Sequence, residues 1–260
     1  MKKVQTILWC VACLVIIVLI AWIGYGYYKN ATMEVKNPVA TMEVENFGTI
    51  KMELYPDQAP EAVANFVALA NRGFYNGTKF HRVVKDFMIQ TGSKDGDGTT
   101  GAKISDLKDG GEDKDYTIKG EFVANGVNNT IKFEEGVLGV ARGDYTQYSP
   151  DLAEESYNSG NSQFFIMTKA NTNLNGQYTA FGKVIEGMDV VHKIEEVEVT
   201  AGDDVESPDE NTEISTPVNP PVVKSITVET YGSDYGLPNT LEPFDYMTWF
   251  YENYYSSSAE

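Results

Sequence analysis

Short runs of alternating apolar and polar residues, cut by glycine- and asparagine-bearing turns, constrain this chain more than any other feature. Ala40-Thr41-Met42-Glu43-Val44-Glu45 alternates, Asn46-Phe47-Gly48 turns, and Thr49-Ile50-Lys51-Met52-Glu53-Leu54 alternates again. Successive side chains on a strand point to opposite faces, so the pattern predicts a strand–turn–strand unit with one buried face. Residues 137–141, 163–167 and 180–184 are apolar enough for central strands, 79–91 reads as a strand pair, and 223–230 alternates once more. Helical spacing occurs at two places within this β-rich stretch. Asp57, Pro60 and Glu61 start one helix, Ala62, Val63, Phe66, Val67 and Ala70 carry it, and Gly73 stops it; residues 187–194 form the other. Many strands with two helices predict an antiparallel barrel closed at its ends.

Residues 1–28 stand apart. Lys2 and Lys3 precede 17 consecutive apolar residues, Ile7 to Ile23, and no charge occurs from Val4 to Tyr28. A helix rises about 1.5 Å per residue, so about 20 residues cross a hydrocarbon core. Trp22, Tyr25, Tyr27 and Tyr28 cluster at the far end, where aromatic rings favour the membrane interface. The expectation is an N-terminal transmembrane helix that meets the membrane through residues 4–28. The two lysines favour an inside N-terminus, giving a single-pass, membrane-anchored chain with an extracytoplasmic domain. A cleaved signal peptide competes with this reading, but no A-x-A-like site follows the run. Val11-Ala12-Cys13 has the small residues of a lipoprotein signal, yet the apolar run continues beyond Cys13. Both cysteines, Cys10 and Cys13, fall here, so the exported part folds without a disulfide.

The net charge of −18 offers no basic footprint for nucleic acid or anionic lipid. Residues 29–38 read as a polar tether. Residues 93–120 are rich in glycine and aspartate and read as long surface loops. Asp95-Gly96-Asp97-Gly98 lacks the spacing and closing glutamate of a calcium loop, so it reads as a solvated turn, and no metal is expected. Residues 201–221 are acidic, contain four prolines, and read as an irregular insertion. In the tail, residues 232–260, Phe244, Met247, Phe250, Tyr251 and Tyr254 fit an amphipathic helix beside Trp249, which could pack on its own domain, touch a membrane or bind a partner.

Two motifs carry the chemistry. Phe80-His81-Arg82 is followed by Phe87-Met88-Ile89-Gln90, and Asn161-Ser162-Gln163-Phe164-Phe165-Ile166 answers it later in the chain. A positive fork, an amide and several apolar walls suit a proline-containing peptide better than a phosphate or a sugar. Together with Phe181-Gly182-Lys183-Val184 before the Gly187-Met188-Asp189 helix, these motifs closely resemble the cyclophilin family of peptidyl-prolyl isomerases over residues 39–231. The resemblance implies a mainly β fold, a closed eight-stranded antiparallel β-barrel capped by two α-helices. It also implies a cofactor-independent enzyme that acts on proline-containing polypeptides.

The resemblance implies Arg82 as the catalytic arginine and Gln90 as the glutamine that holds a substrate carbonyl or orients Arg82. It implies Phe87, Met88, Phe165 and Leu174 as the proline pocket, with Ala141 and Gln163 lining the groove beside it. Tyr178 stands in the pocket wall where many members have histidine, and Asn173 where many eukaryotic members have tryptophan, which puts cyclosporin sensitivity in doubt. Arg142 occupies a position often held by asparagine, and there the chain resembles bacterial-type members. Thr91 replaces a glycine and is expected to alter the local turn. His81 is expected to be structural, because the reaction needs no proton transfer, and His192 to sit on a helix surface. The functional expectation is an isomerase that assists the folding of exported or cell-surface proteins. The competing reading is a non-catalytic module that binds proline peptides or a partner at the membrane surface.

Overall fold

The computed structural model describes residues 5, 9, 13–25, 36–202 and 212–255. The chain divides into two compact units, residues 1–36 and 37–260. In the first, residues 13–25 are helical (α1), and Leu14, Ile17, Ile20 and Trp22 are exposed. Among the described residues no helix is long and apolar enough to cross a membrane. Much of the expected anchor, most of the tether and residues 203–211 of the acidic insertion lie outside the described residues.

The second unit is built on one eight-stranded antiparallel sheet. Its hairpin of β1 (Val39–Val44) and β2 (Gly48–Leu54) sets Met42 opposite Ile50 and Ala40 opposite Met52. These four side chains are buried, which is the period-two pattern realised. The sheet runs β11 (Val223–Glu229), β1, β2, β8 (Ala180–Glu186), β6 (Val137–Val140), β7 (Phe164–Met167), β4 (Met88–Thr91), β3 (Arg82–Val84).

The expected closure of the barrel is not made. β11 and β3 end the sheet, and among the described residues no strand ladder joins them. Instead the Phe80 N–H donates to Pro221 O at 2.9 Å, the Val83 N–H donates to Ser215 O at 2.7 Å, and Lys79 and Val222 form a single bridge. Pro217, Pro220 and Pro221 have no N–H, so the stretch facing β3 accepts hydrogen bonds but cannot return a regular ladder. The result is a curled half-barrel. The end of the insertion folds back as a short pair, β9 (Val199–Thr200) with β10 (Thr216–Pro217).

Two helices pack on the sheet, as expected. α2 (Pro60–Asn71) has Pro60 in its first turn, where a missing N–H costs nothing, and Gly73 follows it with φ +72°. Its N-cap, Ala59, offers no side-chain acceptor. The cap comes from far along the chain: the buried Glu121 carboxylate accepts from the Glu61 N–H at 3.0 Å and the Ala62 N–H at 2.9 Å. Burial raises the Glu121 pKa, and these two N–H groups oppose the rise. The other helix, α5 (Met188–Glu195), begins after Gly187 at φ +92°, where a Cβ would collide with the Thr49 carbonyl.

Residues 93–120 are more structured than surface loops. They contain α3 (Ile104–Leu107) and β5 (Thr117–Ile118), and Ala102, Leu107, Tyr116 and Ile118 are buried. A further short helix, α4 (Ala153–Tyr157), precedes β7. The tail packs on its own domain. β12 (Thr240–Leu241) pairs with β5, and Asn239 donates from its backbone and side chain to Glu61, each at 2.6 Å. Phe244 and Tyr246 lie 5.0 and 4.4 Å from the rings of Tyr145 and Tyr148. α6 (Tyr246–Phe250), capped by Asp245, leads into a wider turn over Tyr251–Tyr255.

Two apolar clusters share β4 and β7. Ile89, Phe164 and Ile166 belong to the main core, while Met88, Phe165 and Met167 join Phe133, Val137 and Ala180 in a second cluster. Alternation explains the division, since neighbouring residues on one strand point to opposite faces. Each such side chain contributes about 1.5–3 kcal/mol when fully buried. The second cluster supports the site.

Candidate active site

One row of paired residues crosses four strands. Arg82 on β3 lies opposite Gln90 on β4, Gln90 opposite Phe165 on β7, and Phe165 opposite Gly139 on β6. The sheet thus presents a cation, an amide, a ring and an empty position in sequence. The empty position is required, because a Cβ at Gly139 would collide with the Phe165 ring. Phe133 stacks on Phe165 at 5.8 Å between centroids, and Tyr178 meets it edge-on at 5.9 Å.

Above this row is a hollow of about 170 Å³ lined by Arg82, Phe87, Met88, Gln90, Ala141, Arg142, Phe165, Leu174 and Tyr178. Every expected site residue except Gln163 lines it. Gln163 stands in the adjoining groove, with Gln90 and Ala141 shared between the two.

A chain of amides sets the polarity of the site. Gln163 Nε2 donates to the backbone carbonyls of Gly98 at 2.9 Å and Thr100 at 3.3 Å. Its Oε1 therefore faces Gln90 and accepts from Gln90 Nε2 at 3.0 Å. Gln90 Oε1 in turn faces Arg82 and accepts from Nη1 at 3.4 Å. Flipping either amide would set donor against donor, so two distant carbonyls dictate which end of Gln90 meets the guanidinium. His81 joins this chain, with Nε2 lying 3.3 Å from Gln90 Nε2. Burial lowers the His81 pKa, which favours the neutral ring whose Nε2 accepts the second Gln90 N–H.

Arg82 is also held from outside. Its Nε donates to Glu213 Oε1 at 2.6 Å and its Nη2 to Glu213 Oε2 at 2.7 Å. Nη1 points to the hollow, 3.9 Å from Met88 Sδ. Hydrogen bonds from Arg82 hold the Glu213 carboxyl below its ordinary pKa.

Glu213 and Arg142 are the site residues that sequence reasoning missed. Nothing in the acidic insertion marks Glu213, since its partner is 131 positions away. Arg142 carried a weak signal, as a departure from the family pattern. Its guanidinium carbon lies 4.4 Å from the Tyr178 ring centroid and 5.3 Å from that of Tyr157, so aromatic faces hold it in the wall. Three other expectations are settled by position. Thr91 makes no new turn; it is buried at the end of β4, where its hydroxyl donates to Lys79 O at 2.9 Å, and the turn falls at Gly92 with φ +90°. Asp97 spends its oxygens on Ser93 and Thr99 within its own loop. His192 sits on α5 with Nδ1 2.9 Å from Glu195 and Nε2 2.8 Å from Glu135, and these carboxylates raise its pKa, Glu195 most.

The sequence profile of a family described as cyclophilin type peptidyl-prolyl cis-trans isomerase/CLD matches residues 39–217. A peptidyl-prolyl cis-trans isomerase of Rhizopus delemar is 38% identical over 171 residues, which are 65% of this chain and 23% of that protein. Human peptidyl-prolyl cis-trans isomerase-like 1 is 35% identical over 61% of this chain and 80% of its own length. A probable peptidyl-prolyl cis-trans isomerase of Brucella suis is 38% identical over 62% of this chain and 74% of its own. Fungal, animal and bacterial relatives thus match alike, and they do not single out a bacterial type. The chain spans less than a quarter of the Rhizopus relative. Among solved structures, a cyclophilin type peptidyl-prolyl cis-trans isomerase of Cryptosporidium parvum superposes with a TM-score of 0.54 at 26% identity, covering 74% of this chain and 98% of its own. The same protein in the presence of the dipeptide Ala-Pro gives 0.53 at 27%.

Proposed function

The chain belongs to the cyclophilin-type peptidyl-prolyl cis-trans isomerase family, and we propose that it accelerates rotation about Xaa-Pro bonds and so assists the folding of exported or cell-surface proteins. The chemistry follows from the amide itself. Rotation opposes resonance across a barrier of about 18–20 kcal/mol, and uncatalysed it takes tens of seconds or longer. No bond is made or cut, so the step calls for neither nucleophile nor cofactor. At the twisted geometry the proline nitrogen loses conjugation, becomes pyramidal and gains a lone pair. A donor fixed against that nitrogen bonds the transition state more strongly than either planar state, and this difference lowers the barrier.

In this reading Phe87, Met88, Phe165 and Leu174 hold the proline ring, and Arg82 is the donor. Arginine keeps its charge at any working pH and its fork is planar, so its direction is set by what grips it. Gln90 orients Arg82 through Oε1, while its amide nitrogen is held by Gln163 and His81. Ala141, Gln163 and Tyr178 shape the groove that takes the residues around the proline. The observation that carries the reading is Arg82 Nη1 directed towards the hollow beside Met88 and Gln90, with Phe87, Phe165 and Leu174 in the same wall.

The location rests on the sequence of the first unit. Lys2 and Lys3 before an uncharged run, and the exposed apolar side chains of α1, support a membrane anchor with the isomerase domain outside the cytoplasm. The test of activity is the isomerisation rate of a short Ala-Pro peptide with and without the purified chain. Wild type accelerates it, and Arg82→Ala loses about 100-fold to 1,000-fold, the range for removing one preorganised donor. Equal rates for the two proteins would remove Arg82 from the mechanism.

A further inference from the structure

Arg82 is gripped by a carboxylate, and that carboxylate comes from a segment with no part in the sheet's strand order. Glu213 lies just before β10, in the described end of the acidic insertion. It takes two of the three guanidinium nitrogens, Nε at 2.6 Å and Nη2 at 2.7 Å, in a side-on fork. Nη1 remains for the hollow. A carboxylate that bound the Nη1–Nη2 end would have turned the fork away from the proline site; this one binds the opposite edge.

The carboxylate is itself tied down. Ser215, which is buried, donates from Oγ to Glu213 Oε1 at 2.7 Å. The Ser215 carbonyl accepts the Val83 N–H at 2.7 Å. Arg82 and Val83 are neighbours on β3, so the segment docks on the strand beside the arginine and reaches its side chain from the same place. The Arg82 side chain is 34% exposed and that of Glu213 50%. An arginine so close to water would sample several rotamers without a partner, and holding it costs side-chain entropy at the moment of reaction. Gln90 supplies one contact at 3.4 Å, too long to fix a fork alone.

We infer that Glu213 is a positioning residue of the isomerase site: its carboxylate, delivered by the acidic insertion, clamps the Nε–Nη2 edge of Arg82 so that Nη1 stays aimed at the proline nitrogen. This rests on the isomerase reading and extends it. Glu213 touches no substrate. It acts through Arg82, and its removal lowers turnover and leaves ring binding in place.

The test uses the full-length chain, wild type and Glu213→Gln, with Ser215→Ala as a second variant that leaves the carboxylate in place but loosens it. The chain has three arginines, Arg72, Arg82 and Arg142, so side-chain Nε–H signals in a nitrogen-15 spectrum are few enough to assign. The Arg82 Nε–H is expected downfield and slow to exchange in wild type, and sharply faster to exchange in Glu213→Gln, whatever the activity. On an Ala-Pro peptide, kcat is expected to fall about 10-fold to 100-fold in Glu213→Gln, with KM within about twofold, and to fall less in Ser215→Ala. A merely structural role would lower the melting temperature and leave kcat per folded molecule intact. An active wild type with unchanged kcat in Glu213→Gln overturns the inference alone, and so does a raised kcat, which would make the carboxylate a mask over Arg82. A wild type without isomerase activity overturns the isomerase reading, and this inference falls with it.

Discussion

The two faces of β4 and β7 carry nearly the same apolar chemistry and end in different structures. Ile89, Phe164 and Ile166 point inward and are sealed against Phe66, Tyr75 and Phe181. Met88, Phe165 and Met167 lie on the opposite face, where Met88 and Phe165 border a hollow of about 170 Å³. Hydrophobicity does not make the difference. On the inner face Phe164 meets Phe66 edge-on at 5.3 Å and Tyr75 edge-on at 5.6 Å. On the outer face Gly139 removes a side chain under Phe165, and Arg82 and Gln90 end the row with charge and amide in place of another wall. A binding site here is a core face with one side chain left out and the Arg82 guanidinium turned in beside Met88.

The comparison can be broken most forcefully at Phe164. Phe164→Ala should cost about 3–5 kcal/mol of stability, measured by denaturant unfolding, with kcat per folded molecule little changed. Phe165→Ala should cost less, because its ring already borders empty space, and should raise KM for a proline peptide. The reverse ranking would mean that the outer cluster, and not the inner one, holds the sheet together.

Gly139→Ala sharpens the same contrast from the opposite direction. Its Cβ must displace the Phe165 ring into the hollow, so about 1–3 kcal/mol of strain and a loss of peptide binding are expected together. Binding measured by titration calorimetry that survives the substitution would show that the ring does not depend on the vacancy at Gly139.

The smallest effects come from the two histidines, whose pKa values are shifted in opposite directions. Burial holds the His81 pKa below 6.5, so its contribution is full above pH 6.5 and is lost as pH falls through the folded value. Protonated Nε2 then faces the Gln90 N–H as a second donor, so kcat should drop over the same acidic window. Glu195 and Glu135 hold the His192 pKa above 6.5, so its contribution is full below pH 6.5 and is lost as pH rises through the folded value. Its ring is 42% exposed, so solvent screening keeps this second change small. Proton NMR titration of the two rings, alongside kcat against pH, checks both signs.

Legibility in the sequence followed how local each feature is. The β1–β2 hairpin, the start of α2 at Pro60 and the stop at Gly73 are written in adjacent residues, and the outer row of Arg82, Gln90 and Phe165 lies in two short motifs. The alternation that reads as strands also sets which of these residues share a face. What sequence did not show depends on pairs far apart. Glu121 caps α2 from about 60 positions away. Glu213 reaches Arg82 across 131. Closure of the barrel is expected from strand count, but the stretch that meets residues 79–83 holds Pro217, Pro220 and Pro221, a placement that only the three-dimensional register reveals. The tail's aromatic pattern was legible, and its partners, Tyr145 and Tyr148, were not.

The central claim is that Arg82, and not the apolar hollow alone, turns binding into rotation. Exchange spectroscopy on an Ala-Pro peptide with a small amount of the chain separates the two directly. Wild type should produce cis–trans exchange peaks within a mixing time of about 1 s, against tens of seconds uncatalysed. Arg82→Ala should produce none, while the peptide still shifts the Met88 and Phe165 resonances. Exchange of equal rate from both proteins would contradict the account.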